Sequence, residues 1–167
     1  VLPLQLDFAA EYALPIWPAA GVALGMLLIY RRSAILPIFV AALLSDLYLE
    51  LSLSTLISAI PNALAVILQA YFGYRLTHTL LRRSSTLVRD ADIIRFLLLA
   101  GPLACLTAPS LGVLTRLANG QLDMERAFSE WLTWWSGDTL GVLLFAPLTL
   151  LVMGRRHAHE ASHRIGA

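Results

Sequence analysis

A long apolar run that contains a single carboxylate constrains this chain more than any other feature. The run extends from Trp131 to Leu151 and carries Asp138 about a third of the way along. About 20 residues at ~1.5 Å each let a helix cross the ~30 Å hydrocarbon core of a membrane. A charge inside that core costs several kcal/mol unless it faces a partner or water. The run therefore predicts a transmembrane helix with an acid that is either functional or structural.

The aromatic, acidic and small residues of this run share one helical face. The residues on that face are Trp131, Trp134, Trp135, Asp138, Gly141, Val142 and Phe145. Tryptophans at a helix end form either an interfacial belt or the wall of a binding pocket. Asp138 is correspondingly either an interhelical hydrogen-bonding group or the anchor of a ligand. The sequence leaves both pairs of interpretations open.

The overall composition indicates a membrane protein without catalytic machinery. The 167 residues are 58% hydrophobic and 14% charged, and the mean hydropathy is +0.72. A net charge of +1 argues against a nucleic-acid partner. The single cysteine, Cys105, forms no disulfide framework, and glycine-rich phosphate loops are absent. We therefore expect no enzyme activity, no cofactor and no metal in this chain.

Five apolar segments predict an all-α integral membrane bundle. They cover approximately residues 14–30, 34–51, 55–80, 93–117 and 131–153. Pro102 and Pro109 predict kinks in the fourth segment. Residues 1–156 form the predicted membrane domain, and 157–167 form a cytoplasmic tail or linker that looks unstructured. Because the chain begins with Val1, we expect it to be a fragment of a longer protein.

The arginines predict the orientation of the bundle. All 12 basic residues are arginines, and two of them, Arg116 and Arg126, lie on one side of the predicted spans. The other ten lie on the opposite side: Arg31, Arg32, Arg75, Arg82, Arg83, Arg89, Arg95, Arg155, Arg156 and Arg164. Because arginine accumulates on the cytoplasmic side, we expect the N-terminus outside and the C-terminus inside.

Polar and aromatic residues from several segments lie at similar predicted depth in the outer half of the membrane. Asn62 and Asp138 are each about seven residues, or roughly 10 Å, from the outer boundary. We predict one shared ligand or signal pocket, formed by Trp17, Asp46, Asn62, Trp134, Trp135 and Asp138. The alternative is that these groups pair locally without a ligand, with Asn62 or Arg116 as the partner of Asp138. Ser58, Asn62, Gln69 and Gly73 form a polar stripe on the third segment.

Two G-x-x-x-G patterns predict that the first and fifth segments touch. Gly21 and Gly25 form the first pattern, and Gly137 and Gly141 form the second. Glycines spaced by four residues allow the backbones of membrane helices to approach closely. We therefore expect these four residues to lie at a helix–helix contact.

Several of these motifs together resemble the first family of bacterial membrane-associated sensor domains, of the MASE type. The residues that carry the resemblance are Pro15, Trp17, Pro18, Gly21, Arg31, Arg32, Asn62, Ala70, Trp134, Trp135, Gly137, Asp138, Gly141 and Pro147. They cover nearly the whole chain. Family members usually carry a further membrane helix before the Trp17-Pro18 motif and often more helices after Arg156, so we expect this sequence to be the core of a longer domain.

The resemblance implies a sensory input domain of the bacterial inner membrane. Such domains are fused to cytoplasmic diguanylate cyclases, phosphodiesterases or histidine kinases, which would link this chain to cyclic di-GMP signalling or to a two-component system. The implied partners are the lipid bilayer, a small-molecule or protein signal, the output domain and a second copy in a homodimer. Two alternatives remain at this point: a solute-binding component of a transporter, and a docking module for a partner membrane protein.

Overall fold

The computed structural model describes residues 16–49, 53–82 and 99–165. The described residues are helical apart from short turns, and none of them is in a β-strand. The α-helices are α1 (Pro18–Tyr30), α2 (Ile35–Leu49), α3 (Leu53–Arg82), α4 (Thr107–Ala118) and α5 (Met124–Ile165). This confirms the predicted all-α class.

The connection between α1 and α2 is a short 3₁₀ turn, Arg31–Ala34. Pro18 begins α1, where its missing N–H removes no intrahelical bond. The helix ends because Arg31 adopts a φ of 55°, which is incompatible with a right-handed helix. Beyond the turn, α2 packs against α3, as α1 also does.

Helix α5 is longer at both ends than the sequence predicted. It begins at Met124 rather than near residue 131, and it continues to Ile165 rather than ending near residue 153. The expected unstructured tail after residue 156 is therefore wrong as far as Ile165. The reason is that hydropathy marks only the apolar middle of a helix, whereas alanine, arginine and glutamate also propagate a helix in polar surroundings.

Three helical runs in the described parts of the chain are long and apolar enough to cross a membrane: Pro18–Tyr48, Ile57–Thr79 and Met124–Met153. The sequence predicted five spans. The number of spans differs for two reasons. The first is that the run Pro18–Tyr48 includes two predicted segments, 14–30 and 34–51, which are joined by the turn at Arg31. The second is the predicted fourth segment, residues 93–117, which begins outside the described residues and is irregular where it is described.

The irregular part of that fourth segment lies directly before α4. Residues Leu99–Leu103 form a π-helical turn that contains Pro102. The residues Ala104–Leu106 then form a 3₁₀ turn, and α4 follows with 12 residues. Proline lacks the amide donor that a regular helix needs, which explains the irregular backbone around Pro102. A break at Pro102 was predicted, and the structure confirms it.

The most extensive helix contact joins α1 and α5, the first and fifth predicted segments. A Cβ atom on Gly141 would overlap the main-chain carbonyl of Trp17, and one on Gly21 would overlap the carbonyl of Gly141. Gly25 faces Thr149, whose Cβ would lie 2.6 Å from an added Cβ. Gly137 contributes its carbonyl, which accepts a 2.9 Å hydrogen bond from the Trp17 amide. The contact therefore depends on the absence of a side chain at Gly21, Gly25 and Gly141.

Candidate functional site

Asp138 lies in the interior of the bundle, on the face of α5 that the neighbouring helices cover. Its side chain is only 2% exposed. The Oδ2 atom accepts a 2.7 Å hydrogen bond from Nε2 of Gln69 on α3. The Oδ1 atom is buried and has no hydrogen-bond partner within the described parts of the chain. Asp138 is thus a buried acid with one neutral donor.

Gln69 connects Asp138 to the beginning of α4. The Oε1 atom of Gln69 accepts a 3.0 Å hydrogen bond from the Ala108 amide. Ala108 is the second residue of α4, and the amides in the first turn of a helix have no intrahelical acceptor. Because a backbone amide only donates, this bond fixes Oε1 toward Ala108 and the donor Nε2 toward Asp138. A single carboxamide therefore links α3, α4 and α5.

The irregular turn before α4 is held by α5 as well. The indole Nε1 of Trp135 donates a 2.9 Å hydrogen bond to the carbonyl oxygen of Pro102. Irregular backbone at membrane depth is tolerated where protein groups satisfy the polar atoms that it leaves unpaired. Trp135 and Gln69 supply such groups on the two sides of the break, and π-helical turns of this kind frequently occur at functional sites.

Two further polar side chains lie beside Asp138. Cys105, in the 3₁₀ turn before α4, is fully buried next to Thr139 and Asp138. The Thr139 hydroxyl is also buried and lies beside the Cys105 thiol. We call Asp138, Gln69, Thr139 and Cys105 the inner polar cluster.

A second acid–amide pair joins α2 to α3. Asn62 Nδ2 donates a 2.7 Å hydrogen bond to Asp46 Oδ2 in a partly buried position. Asn62 Oδ1 is buried without a partner among the described residues. We call Asp46 and Asn62 the outer pair. Asn62 and Gln69 are seven residues apart on α3, which separates the outer pair from the inner polar cluster by about 10 Å along that helix.

The structure therefore places the predicted pocket residues in two groups rather than one. Asp46 and Asn62 are together, whereas Asp138 bonds Gln69, seven residues farther along α3, and α5 begins at Met124. Fourteen residues precede Asp138 in that helix, or about 21 Å. The expected partners of Asp138 were wrong, since Asn62 bonds Asp46 and Arg116 pairs with Glu130 at 2.5 Å. Gln69 was missed as a site residue, although its place on the polar stripe was the available signal.

The tryptophans mainly join α5 to α4. Trp134 packs on the backbone of Gly112, where an added Cβ would lie 2.5 Å from the ring. Trp131 donates from Nε1 to the Ser110 hydroxyl at 3.0 Å, and its ring stacks on Trp135 with centroids 5.9 Å apart. Trp17 differs, because its ring is 44% exposed.

Comparison with known proteins identifies the family. No curated protein and no protein of known structure matches the chain. The sequence model of the MASE1 family matches residues 3–165, which is nearly the whole chain. MASE1 domains are membrane-associated, sensory and without catalytic activity. In agreement with its apolar helices and the Trp-Ser-Gly-Asp segment that ends at the buried Asp138, this chain belongs to the MASE1 family.

Proposed function

We propose that this chain is the signal-input domain of a bacterial inner-membrane receptor and that it controls a cytoplasmic output domain through α5. The observation that carries the proposal is that Asp138, which bonds Gln69 in the inner polar cluster, lies on the same helix that forms the C-terminal end of the described chain. A change in the hydrogen bonding of Asp138 would alter the position of that helix. The family match supports a sensory role.

The length of α5 suits this task. The helix has 42 residues, or about 63 Å. Asp138 is followed by 27 further helical residues, up to Ile165, so about 40 Å of continuous helix extends from the acid toward the C-terminus. Small shifts of a packed helix are a known means of signal transmission because the helix moves as a rigid element.

Five crossings remain our proposal for the topology. A single helix over the 31 residues of Pro18–Tyr48 would measure about 46 Å, which exceeds the ~30 Å hydrocarbon core. Buried residues from both sides of the turn, Ala23 and Ile38 among them, share one cluster around Ala70 of α3. This clustering supports two crossings that reverse direction at Arg31. The excess of arginine on one side supports an outer N-terminus and a cytoplasmic C-terminus.

The signal that we propose is a small molecule or a protein segment recognised on the periplasmic side or within the membrane. The outer pair is closer to the outer boundary than Asp138 in this topology. Trp17, whose amide bonds the Gly137 carbonyl, lies level with the inner polar cluster, and Trp134 and Trp135 lie about one turn before Asp138 on α5. Asp138 would receive a hydrogen-bond donor or a cation, and the indole rings would add apolar or cation–π contacts. The output domain would be a diguanylate cyclase, a phosphodiesterase or a histidine kinase.

A second candidate is a solute-binding component of a transporter. The broken helix at residues 99–106 favours it, because transporters build substrate sites from interrupted membrane helices. A third candidate role is docking of a partner membrane protein. Solute accumulation in vesicles containing the purified chain would favour transport over sensing.

The proposed topology is tested with reporter fusions after Arg32, Asp92 and Arg156. We expect all three fusions to be active only with a cytoplasmic reporter, since these positions lie on the arginine-rich side. A periplasmic signal from the fusion at Asp92 would contradict the five-crossing arrangement.

The transmission role is tested by changing the helical phase of α5. We would fuse a diguanylate cyclase to Ala167 and insert either two or seven residues after Arg156. Two residues rotate the following helix by about 200°, whereas seven restore its phase to within about 20°. Cyclic di-GMP per membrane-inserted protein should change several-fold with two residues and stay near the parent value with seven. Equal output from both insertions would contradict transmission through α5.

A further inference from the structure

Within the described residues, the environment of Asp138 does not balance a negative charge. Its side chain is 2% exposed, and its described hydrogen-bond donor is the neutral carboxamide of Gln69. An ionised carboxylate that is removed from water costs several kcal/mol unless a cation or several donors compensate it. One amide donor falls short of that requirement.

The helices that surround Asp138 provide no cation in the described parts of the chain. Helix α1 contributes apolar residues such as Ala20 and Leu24. The turn before α4 contributes the Cys105 thiol, which cannot carry a positive charge. The first turn of α4 contributes the Ala108 amide, which Gln69 already occupies.

The charged side chains along the packed helices are remote from Asp138. Arg75 and His78 lie six and nine residues beyond Gln69 on α3, or about 9 and 14 Å along the axis. Arg116 lies two turns beyond Ala108 and is paired with Glu130, which itself precedes Asp138 by eight residues on α5. These positions leave Asp138 without a described counter-ion.

We propose that Oδ1 of Asp138 is a proton-binding site that is occupied at neutral pH. The carboxylate takes a proton from bulk water, the new O–H bond forms at Oδ1, and the product is a neutral carboxylic acid. The Oδ2 atom remains the acceptor for Gln69. This assigns a ligand class, the proton, to the site in the proposed function, and its signalling meaning rests on that function.

The bond to Gln69 makes proton binding consequential for the fold. A hydrogen bond to a charged acceptor is roughly twice as strong as one to a neutral acceptor. Release of the proton would strengthen the bond from Gln69 and, through Ala108, the link to the positive end of α4. Proton release therefore changes how firmly α3, α4 and α5 are held together at one point.

The test is infrared spectroscopy of the full chain in lipid vesicles, from neutral to alkaline pH. At neutral pH the wild-type protein should show the C=O absorption of a protonated carboxyl group, and this absorption should disappear at alkaline pH. Asp138→Asn should lose the neutral-pH absorption, whereas Asp46→Asn should keep it. A wild-type spectrum without this absorption at neutral pH, or an absorption unchanged by Asp138→Asn, would overturn the proposal.

A second measurement covers the case in which Asp138→Asn does not insert. Carbon-13 labelling of aspartate in the otherwise unaltered chain should shift the absorption, and the shifted absorption should persist in labelled Asp46→Asn. An absorption that labelling does not move would overturn the proposal. If Asp138 is ionised in the wild-type protein at neutral pH and Asp138→Asn loses its output, the proton site is overturned and the proposed function stands. Full output from a well-inserted Asp138→Asn protein would overturn the proposed function instead.

Discussion

The inner polar cluster and the outer pair use the same chemistry in different surroundings. In each, a carboxamide on α3 donates to an aspartate Oδ2 at 2.7 Å. The aspartates differ, because Asp138 is buried and Asp46 is partly exposed. The carboxamides differ in the partner of their oxygen atom. Gln69 Oε1 accepts a hydrogen bond from the Ala108 amide, whereas Asn62 Oδ1 has no partner among the described residues.

This difference indicates different roles for two bonds of equal length. The outer pair connects two helices that a short link already joins in sequence, so its loss leaves them adjacent. The inner polar cluster connects three elements whose bonded residues are 30 or more positions apart, and one of them is α4, which directly follows the irregular turn. A change at Asp138 therefore reaches more of the bundle than the same change at Asp46. The predictions below test this contrast, from the largest expected effect to the smallest.

The largest effect is expected from Gly141→Leu, which would displace the helix that carries Asp138. A side chain at this position overlaps the Trp17 carbonyl, so α1 and α5 would have to separate. We expect most of the folded protein to be lost from the membrane fraction. The protein that remains should unfold at a much lower temperature in detergent than the wild type. The matched control is Leu144→Ala, since Leu144 is 54% exposed and packs outward. Equal melting temperatures for the two variants would refute the close contact.

Gln69→Leu and Asn62→Leu compare the two carboxamides directly. Gln69→Leu leaves both the Ala108 amide and Asp138 Oδ2 buried without a partner. At about 1–3 kcal/mol for each unsatisfied group, the cost is about 2–6 kcal/mol. Asn62→Leu should cost less than about 1.5 kcal/mol, because Asp46 keeps access to water or lipid head groups. Both costs are measured as the decrease in the free energy of unfolding in detergent. A smaller decrease for Gln69→Leu than for Asn62→Leu would contradict the different roles assigned to the two carboxamides.

Trp135→Phe tests whether the helix break belongs to the inner polar cluster. The ring volume is largely kept, but the donor to the Pro102 carbonyl is lost. We expect a destabilisation of about 1–3 kcal/mol, together with faster amide hydrogen exchange in residues 103–108. Trp131→Phe is the control, since the Ser110 hydroxyl that it releases is partly exposed. Unchanged exchange near Pro102 would show that the break is held by other contacts.

The sequence predicted the features that follow from hydropathy and spacing. An acid within an apolar run identified Asp138, and paired small residues identified the contact between α1 and α5. The ends of α5 were not predictable from hydropathy, because Glu125, Arg126 and Glu130 interrupt its start and a polar stretch from Arg155 forms its end. Irregular backbone near Pro102 was predictable, since proline removes a helix donor.

The partner of Asp138 was beyond the reach of sequence spacing. Gln69 and Asp138 are 69 residues apart, and only the packing of α3 against α4 and α5 brings them together. Asn62 was one of the two expected partners, beside Arg116, because Asn62 and Asp138 were assigned the same depth, and that depth depended on the start of α5. An error of seven residues in one helix end thus changed which amide was expected to face the acid.

Output activity of Asp138→Asn against Asp46→Asn tests the central claim most directly. Both substitutions keep the shape of an aspartate and remove its charge or its acidic proton. With a diguanylate cyclase fused to Ala167, cyclic di-GMP is measured per membrane-inserted protein, with and without a shift of external pH. We predict that Asp138→Asn abolishes the response at normal membrane abundance and that Asp46→Asn retains most of it. A normal response from Asp138→Asn, or an equal loss in both variants, would contradict the account.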